Sequence, residues 1–499
     1  MTALVWFRND LRTEDHAPLA AAVAQDGPLI PVICIDTDLA RRQQFGVGRL
    51  GAHRAQFWME CVADLKQRLM ALGSDLVILR GRPADVLADF IQASGAREVF
   101  FHRAVAIDER DEEVALARQL PRVEWKGQWG NLLVTPKIAP FDGHDVPETF
   151  TGFRKKVESR VEIPSARRGP TALPALPEAT DVGAVPTLAD FGLQTPESSS
   201  RATMRFQGGA TAGLARMRAY IWTDDRLRVY KETRNGLLEA NDSSRFSPWL
   251  ALGAISPRQV LDQIRAYERE RVANDSTYWL FFELLWRDYF QFIALKHGAR
   301  LFKVTGLRGL RLPWQRHQAH FEAWCSGTTG YPLVDASMRE LSATGFTSNR
   351  ARQNVASFFT KVLGLDWRIG AAWFEQHLVD YDPASNWGNW AYNAGVGNDA
   401  RGFRYFHIPK QTRDYDPDGT FLRHWLPELS QMPTRWMAEP HRAPSDIQDK
   451  VGLGRTYPQP IVNLEAAVTA QRKAYEKVDP APPSSHRRER GGRRAQRRR

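Results

Sequence analysis

Cysteine is scarce in this chain: Cys34, Cys61 and Cys325 are the only three among 499 residues. Their wide spacing excludes a disulfide scaffold, a CxxC zinc site and a four-cysteine iron–sulfur cluster. Long apolar runs are missing too, since no stretch of about 18 residues is apolar enough to span a bilayer. The N-terminus has neither the basic start nor the apolar core of a signal peptide. We therefore expect a cytoplasmic protein without a membrane segment.

The usual catalytic and nucleotide motifs are also absent. No GxGxxG follows the first predicted strand, which excludes a dinucleotide-binding fingerprint. No clear Ser–His–Asp or Cys–His arrangement is found. Tryptophan, by contrast, is abundant: 16 residues, of which twelve lie between Trp222 and Trp436. Such clustering is usually core packing.

Most of the net charge of +11 lies at one end of the chain. Residues 486–499 carry eight arginines and one glutamate, which together supply +7. The basicity therefore says little about the folded body. We expect a disordered tail that adds non-specific affinity for nucleic acid, the alternative being a solvated tail that aids solubility.

Hydrophobic periodicity divides the chain into four parts. Residues 1–135 alternate short apolar runs with helical patterns, which predicts an α/β domain with a doubly wound parallel sheet. Residues 136–205 hold nine of the 30 prolines and predict a long connector. Residues 206–460 have helical spacing without alternating strands, which predicts an all-helical domain. Residues 461–499 form an extension, with one helix at 461–477 before the arginine-rich tail.

Individual elements follow from the same patterns. The predicted strands are 4–7, 29–35, 75–79, 98–101 and 123–125. The predicted helices in the first two parts are 52–72, 84–92, 109–119 and 149–157, and those in the third part include 278–297, 332–342 and 348–362.

Three polar clusters interrupt the helical part. The first is Ser243-Ser244-Arg245-Phe246-Ser247, where small hydroxyls and free backbone N–H groups at a helix start would bind an anion. A plain helix N-cap is the alternative. The second contains Glu283 and Arg287, four residues apart. They could form a simple helix ion pair, but their aromatic neighbours make an unpaired charge costly and point to a ligand or a buried pair.

The third cluster contains Asp380, Asp382 and Asn386, with Asn349, Arg350 and Arg352 as a further polar group. Ala384 and Ser385 break the pattern of an EF-hand loop, and no His or Cys accompanies the carboxylates, so we expect neither calcium nor zinc. Chemistry without a nucleophile or a metal indicates an organic cofactor.

At residues 3–440 the chain resembles the photolyase/cryptochrome flavoprotein family, and within it the DASH-type cryptochromes. The resemblance rests on an ordered set of segments rather than on any one of them. These segments are Trp6–Arg12, Gly51–Phe57, Phe150–Lys155, Gly330–Ala336, Asn386–Asn398 and Gln431–Pro433. It implies an α/β domain, a connector and an all-helical domain that binds a U-shaped FAD.

The resemblance also implies roles for individual residues. Glu283, Asn349 and Asn386 match catalytic positions beside the flavin, and Asn386 matches the side chain facing its central ring. The residues implied to bind FAD are Tyr230, Ser243, Ser244, Arg245, Phe246, Ser247, Glu283, Arg287, Asn349, Arg352, Asp380, Asp382 and Asn386.

Three further groups of residues are implied in the same way. Trp390, Trp367 and Trp314 match the electron-transfer tryptophans of the family. Trp286, Arg287, Gln353 and Tyr392 match positions that contact DNA and the flipped lesion. Glu109 matches the acidic residue that contacts a 5,10-methenyltetrahydrofolate antenna, although Ala104 stands where a Glu is common and His16 where many relatives have Asn.

The implied activity is light-driven splitting of cyclobutane pyrimidine dimers by photoexcited reduced FAD. Asn349 and Gln353 replace the histidines of (6-4) photolyases, and Tyr392 replaces a stacking Trp, so single-stranded DNA is the expected substrate. RNA is a further candidate partner, and we expect a monomer. The alternative is a blue-light signalling receptor that uses the same FAD and binds nucleic acid without repair.

Overall fold

The computed structural model describes residues 2–399 and 402–479. Its first part contains a five-stranded sheet in the order β5-β2-β1-β6-β7, with every neighbouring pair parallel. These strands are β1 (Ala3–Phe7), β2 (Leu29–Ile35), β5 (Val77–Arg80), β6 (Glu98–His102) and β7 (Glu124–Gln128), while β3 (Gln43–Gln44) and β4 (Val47–Gly48) form a separate hairpin. The predicted doubly wound parallel sheet is confirmed.

Four helices cover the sheet: α1 (Ala17–Val23), α2 (Ala52–Ala71), α3 (Pro83–Ser94) and α4 (Ile107–Gln119). Side chains alternate between the two faces of each strand. Val5 and Phe7 of β1 point into the large core that continues into the helical part. Leu4 and Trp6 point into a smaller core closed by α3 and α4. The sheet is thus buried on both faces, as its apolar strands require.

The connector contains one helix, α5 (Phe150–Arg160), and a 3₁₀ turn at Leu188–Phe191. The rest of the described chain is helical, and within it no named strand follows β7. The α-helices of this part are α6 (Ala210–Arg218), α7 (Tyr230–Thr233), α8 (Ser247–Ala251), α9 (Pro257–Glu270), α10 (Asp275–His297), α11 (Gln318–Ser326), α12 (Pro332–Thr344), α13 (Asn349–Ser357), α14 (Trp367–His377), α15 (Pro383–Ala394), α16 (Ile408–Tyr415), α17 (Thr420–Trp425), α18 (Ser445–Lys450) and α19 (Leu464–Val478).

Local sequence signals set several of these boundaries. Asn274 caps α10 by accepting hydrogen bonds from the backbone N–H groups of the next turn. Asp382 caps α15 in the same way, and Gly395 ends that helix in the left-handed conformation. Both caps lie at the ends of helices that line the main cavity.

Most predicted boundaries shift by one to three residues, and two predicted elements differ in a further respect. The helix predicted at 348–362 is an α-helix only to Ser357, and Phe358–Val362 forms a π-helical turn. The strand predicted at 123–125 is displaced to Glu124–Gln128 because it pairs in register with β6. The predicted tail at 486–499 lies outside the described residues.

Candidate cofactor and DNA site

The main candidate site is a cavity of about 450 Å³ in the helical part, within the size range of cofactor and ligand sites. It collects almost every residue that the sequence analysis singled out. These are Tyr230, Ser243, Ser244, Arg245, Phe246, Ser247, Glu283, Trp286, Arg287, Asn349, Arg352, Gln353, Asp380, Asp382, Asn386, Trp390 and Tyr392. Trp367, Trp314 and Glu109 lie elsewhere.

One wall of the cavity is the loop of residues 243–247. Arg216 donates hydrogen bonds to the carbonyls of Ser243 and Ser244, at 3.2 and 3.1 Å. Arg245 adopts a left-handed backbone conformation, with φ of 52°. Among the described residues we find no acceptor for the backbone N–H groups of this loop. Helix α8 also has no side-chain N-cap, so no hydroxyl of this loop caps the helix and the backbone donors are available for an anion.

Glu283 and Arg287 do not form the helix ion pair that their spacing allows. Glu283 instead pairs with Arg234 of the chain just after α7, at 2.6 Å. Burial raises the pKa of the Glu283 carboxyl, and Arg234 opposes that shift. The Arg287 guanidinium donates to the carbonyls of Asn131 and Leu250. Each charge therefore has its own tertiary partner.

The same cavity is also lined by an ion pair. The Arg352 guanidinium contacts both carboxylate oxygens of Asp380, at 3.0 and 2.9 Å, and also donates to the Thr347 carbonyl. Such bidentate pairing fixes the orientation of the guanidinium. A cation held at the cavity wall favours an anionic ligand there.

Asp382, which caps α15, and Asn386 within that helix also line the cavity. The carboxylate of Asp382 accepts from the Ser385 backbone N–H at 2.7 Å and from the Gln291 side chain at 2.7 Å. The side-chain amide of Asn386 donates to the Ala371 carbonyl at 3.0 Å. This bond directs the amide nitrogen into the protein and leaves the amide oxygen toward the cavity.

The mouth of the cavity is aromatic and basic. Trp286 stacks on Phe150 with ring centroids 3.8 Å apart and meets Tyr392 edge-on at 6.4 Å. Gln353 accepts a hydrogen bond from Arg350 at 2.9 Å, and Arg350 also reaches Asn235. Arg404 lines the same mouth. Aromatic faces with adjacent cations suit an unstacked base and its phosphates.

Arg234 and Arg404 were missed by the sequence analysis. Arg234 follows Tyr230 by one helical turn, a spacing that places both on one face, and this signal could have identified it. No local pattern marks Arg404, because the fold alone brings it to the cavity mouth.

Trp390 lines the cavity, and its ring packs closely against α14. Gly370 of α14 allows this approach, since a Cβ atom there would lie 2.3 Å from the Trp390 ring. Trp367 begins the same helix one turn earlier. The backbone of Gln315, next to Trp314, bonds with Gly364 and Asp366, next to Trp367. Helix α14 thus contains Trp367 and packs against Trp390, and a backbone bridge joins the segments on which Trp314 and Trp367 lie.

A second, smaller cavity of about 80 Å³ lies at the carboxyl ends of β1 and β6. These neighbouring strands are the switch point of the sheet, where doubly wound folds bind ligands. Its lining includes His102 and Glu109, and it shares Arg287 and Asp382 with the main cavity. The Oε2 atom of Glu109 and the Nε2 atom of His102 are buried without a hydrogen-bond partner.

Hydrogen bonding and burial together determine the protonation state of His102. Asp10 accepts from His16 and from the Nδ1 atom of His102, at 2.9 and 2.8 Å. Burial lowers the pKa of His102 to about 3. Its Nε2 atom therefore faces the second cavity as an acceptor. Burial also raises the pKa of Glu109. Asp10, His16 and His102 thus form one buried, hydrogen-bonded group from which the Nε2 atom of His102 remains unpaired.

Among residues 2–399 and 402–479, we find no helix with the length and apolarity needed to cross a membrane. At the two carboxylates of the third polar cluster, Asp380 pairs with Arg352 and Asp382 accepts a hydrogen bond from Gln291.

Comparison with known proteins gives a consistent result. Residues 3–178 match the DNA photolyase domain, and residues 279–477 match the FAD-binding domain of DNA photolyase. The chain is 50% identical over 480 residues to a cryptochrome DASH from Gloeobacter violaceus, covering 95% of each chain. It is 48% identical over 478 residues to one from Synechocystis sp., covering 95% of this chain and 97% of the relative.

Solved structures give the same picture. A Synechocystis sp. cryptochrome superposes with a TM-score of 0.92 at 47% identity, covering 95% of this chain and 99% of that one. A class III photolyase from Agrobacterium tumefaciens superposes with a TM-score of 0.83 at 31% identity, covering 96% and 97%.

Proposed function

The chain belongs to the cryptochrome DASH branch of the photolyase family, and we propose that it is a light-driven photolyase for cyclobutane pyrimidine dimers, with a preference for single-stranded DNA. The observation that carries this proposal is one cavity whose inner walls suit FAD and whose mouth suits an unstacked dimer. The family's FAD-binding domain is matched by residues 279–477.

The cavity residues fit FAD by their chemistry. The loop of residues 243–247 offers unpaired N–H donors for a pyrophosphate, and Arg352 offers a positive charge near Asp380. When bound and reduced, FAD would supply a light-driven electron to the dimer. The side-chain oxygen of Asn386 would orient the flavin ring, and the carboxyl of Glu283 would orient the dimer.

Glu283 and Asn349 would act on the dimer as well as line the cofactor site. Glu283 lies one turn before Trp286 on α10, so its carboxyl and the indole share one face of the helix. Its raised pKa allows the carboxyl to hold a proton and donate a hydrogen bond to a pyrimidine carbonyl. Asn349, at the start of α13, would add an amide donor.

Tyr392 carries the preference for single strands. Flipping a paired dimer out of a duplex costs a few kcal/mol, least when the base is already unpaired. Stacking on an aromatic ring offsets about 1–3 kcal/mol of this per base. Tyr offers less surface than Trp, so the duplex reaction is disfavoured. RNA would enter the same aromatic and basic mouth as a competing single strand.

Trp390, Trp367 and Trp314 would relay electrons toward the FAD site and so restore its reduced state. The packing of Trp390 on Gly370, three residues after Trp367, and the Gln315 bridge between the segments of Trp314 and Trp367 support this role. Trp390 and Trp367 are buried and Trp314 is half-buried, so the first two are equally compatible with a role in core packing.

We further propose that the second cavity takes the pterin head of 5,10-methenyltetrahydrofolate as an antenna. Glu109 and the Nε2 atom of His102 present two unpaired acceptors for its amino and ring N–H groups. The cavity is far smaller than the ~300 Å³ of sites that enclose a ligand, so the remainder of the folate would lie outside it.

The test is loss of dimers under blue light, with chemically reduced protein and matched single-stranded and duplex oligonucleotides. We expect repair of the single strand and little of the duplex, with none in the dark. No repair on either substrate, with FAD fully reduced, would assign the protein to signalling cryptochromes. Equal repair of both would make it a conventional photolyase and remove the role given to Tyr392.

A further inference from the structure

Lys361 is a buried lysine beside the last tryptophan of the proposed relay. It lies on the π-helical turn Phe358–Val362, and only 3% of its surface is exposed. π-helical turns inside helices are rare and often occur at functional sites. The amine donates to the Ala394 carbonyl at 2.6 Å and lies over the ring of Tyr475 at 4.8 Å.

The indole N–H of Trp314 is buried and has no hydrogen-bond partner. The ring itself is only half-buried, but its nitrogen has no contact with solvent. Trp314 and Lys361 line one cavity of about 10 Å³, roughly the free volume that one water molecule needs. The N–H proton therefore has a route into this cavity and none directly to bulk water.

Loss of an electron from Trp314 makes this N–H strongly acidic, so the proton needs an acceptor. We propose that Lys361 accepts the indole proton of oxidised Trp314, directly or through one water. The indole N–H bond breaks and an ammonium N–H bond forms, which turns the radical cation into a neutral radical and the amine into an ammonium. The electron has already left toward the FAD site, so charge and atoms balance.

The other polar groups of the cavity are poor bases. The hydroxyl of Thr360 already donates to the Ala356 carbonyl at 2.8 Å. Gln471 has a neutral amide. The Tyr475 hydroxyl accepts from Arg308 at 2.7 Å, and burial raises its pKa, so it holds its own proton. Only the amine of Lys361 offers a basic lone pair.

Burial lowers the pKa of Lys361 to about 7, so the neutral amine is present near neutral pH. Above that pH the lone pair is available; below it, Lys361 is an ammonium and a cation beside Trp314 disfavours its oxidation. Both effects slow the formation of the neutral Trp314 radical at low pH. The charged and titratable groups around Lys361 are Arg308, Asp399, Arg404, Arg472, Tyr475 and Asp479.

This inference rests on the relay in the proposed function, and flash spectroscopy of the FAD-loaded full chain tests it. Protonated and neutral tryptophan radicals have different absorption bands, so their interconversion can be timed. In the parent protein we expect proton loss to accelerate from pH 6 to pH 8. K361M and K361R, which lack a usable lone pair, should slow it by about a hundredfold and remove the pH dependence.

Lys303→Met removes an exposed lysine from the same part of the chain and should change nothing. An unchanged rate in K361M, or a parent rate independent of pH from 6 to 8, overturns the inference. If the Lys361 variants fail to fold, NMR of lysines labelled at Cε in the parent protein remains decisive. A titration near pH 7 supports the inference, and the absence of any lysine titrating below pH 9 overturns it.

A separate variant tests whether Trp314 belongs to the relay. W314F should remove the long-lived radical; if the radical persists unchanged, Trp314 is not the terminus and the role of Lys361 fails with it. Repair by chemically reduced protein does not need the relay. K361M should therefore repair single-stranded DNA like the parent, and loss of repair in the parent itself concerns the proposed function alone.

Discussion

Glu283 pairs with Arg234 at 2.6 Å although Arg287 follows it by four residues on the same helix. The pair joins α10 to the chain after α7 at the wall of the main cavity. Burial raises the pKa of Glu283, and Arg234 holds it down. The proton on this carboxyl is therefore controlled by a tertiary contact, and that contact can be removed.

Replacing Arg234 with methionine should make stability depend more strongly on pH. Without Arg234 the folded pKa of Glu283 rises further above its unfolded value, so folded Glu283 keeps a proton that the unfolded chain has released. The free energy of unfolding should then fall as pH rises from 5 to 8, relative to the parent. Denaturant titrations at both pH values measure it. The double variant R234M/E283Q is the control, and a persisting extra pH dependence there would exclude Glu283 as its source.

Replacing Trp390 with phenylalanine should slow light-driven reduction of FAD by an external reductant, with FAD still bound. Phenylalanine keeps most of the packing against Phe374 and Trp324 but is much harder to oxidise. Reduction is followed by the loss of flavin absorbance under blue light. Trp425→Phe, buried but remote from the cavity, is the matched control. Equal rates in W390F and parent would exclude Trp390 from the relay.

Replacing Tyr392 with tryptophan should improve repair of duplex DNA more than that of single strands. The larger ring adds stacking surface opposite Trp286, and stacking contributes about 1–3 kcal/mol per base. Affinity for a duplex dimer should therefore tighten by about tenfold. Binding titrations with matched oligonucleotides measure it. An equal gain on both substrates would show that Tyr392 does not set the strand preference.

Replacing Glu109 with glutamine should lower the folate content of the purified protein. The amide offers a weaker acceptor than the carboxylate to a pterin amino group. Near-ultraviolet absorbance relative to flavin absorbance measures it. Glu112→Gln is the control, since Glu112 lies one turn further along α4 and outside the cavity lining. Unchanged folate in E109Q would favour a helix N-terminal role for Glu109, in which it interacts with the dipole.

Deleting residues 486–499 should weaken non-specific binding to single-stranded nucleic acid. If all of the +7 charge engages phosphates, the tail contributes up to about 5 to the log–log salt slope, at ~0.7 per charge. Salt titrations of affinity for an undamaged oligonucleotide measure it. A tail of equal length with serine in place of arginine separates charge from length. A slope unchanged by either alteration would leave the tail a role in solubility alone.

Several features followed from local sequence because local physics decides them. Strands and helices alternate in residues 1–135 because short apolar runs and helical spacing each favour one backbone periodicity. The segment Ser243–Ser247 and the residues Asp380, Asp382 and Asn386 were recognisable as polar clusters in an apolar context. Their gathering into one cavity was expected from the family resemblance rather than from any spacing.

Tertiary packing decided what local sequence could not. Glu283 had a suitable partner on its own helix, and the choice of Arg234 depends on where α7 docks against α10. Phe358–Val362 has the composition of an ordinary helix, yet the hydrogen-bond shift to a π turn buries Lys361 beside Tyr475. Periodicity shows which residues are buried, but it carries no information about which distant groups they meet. Long-range partners depend on the relative placement of whole elements, and only the folded structure contains that placement.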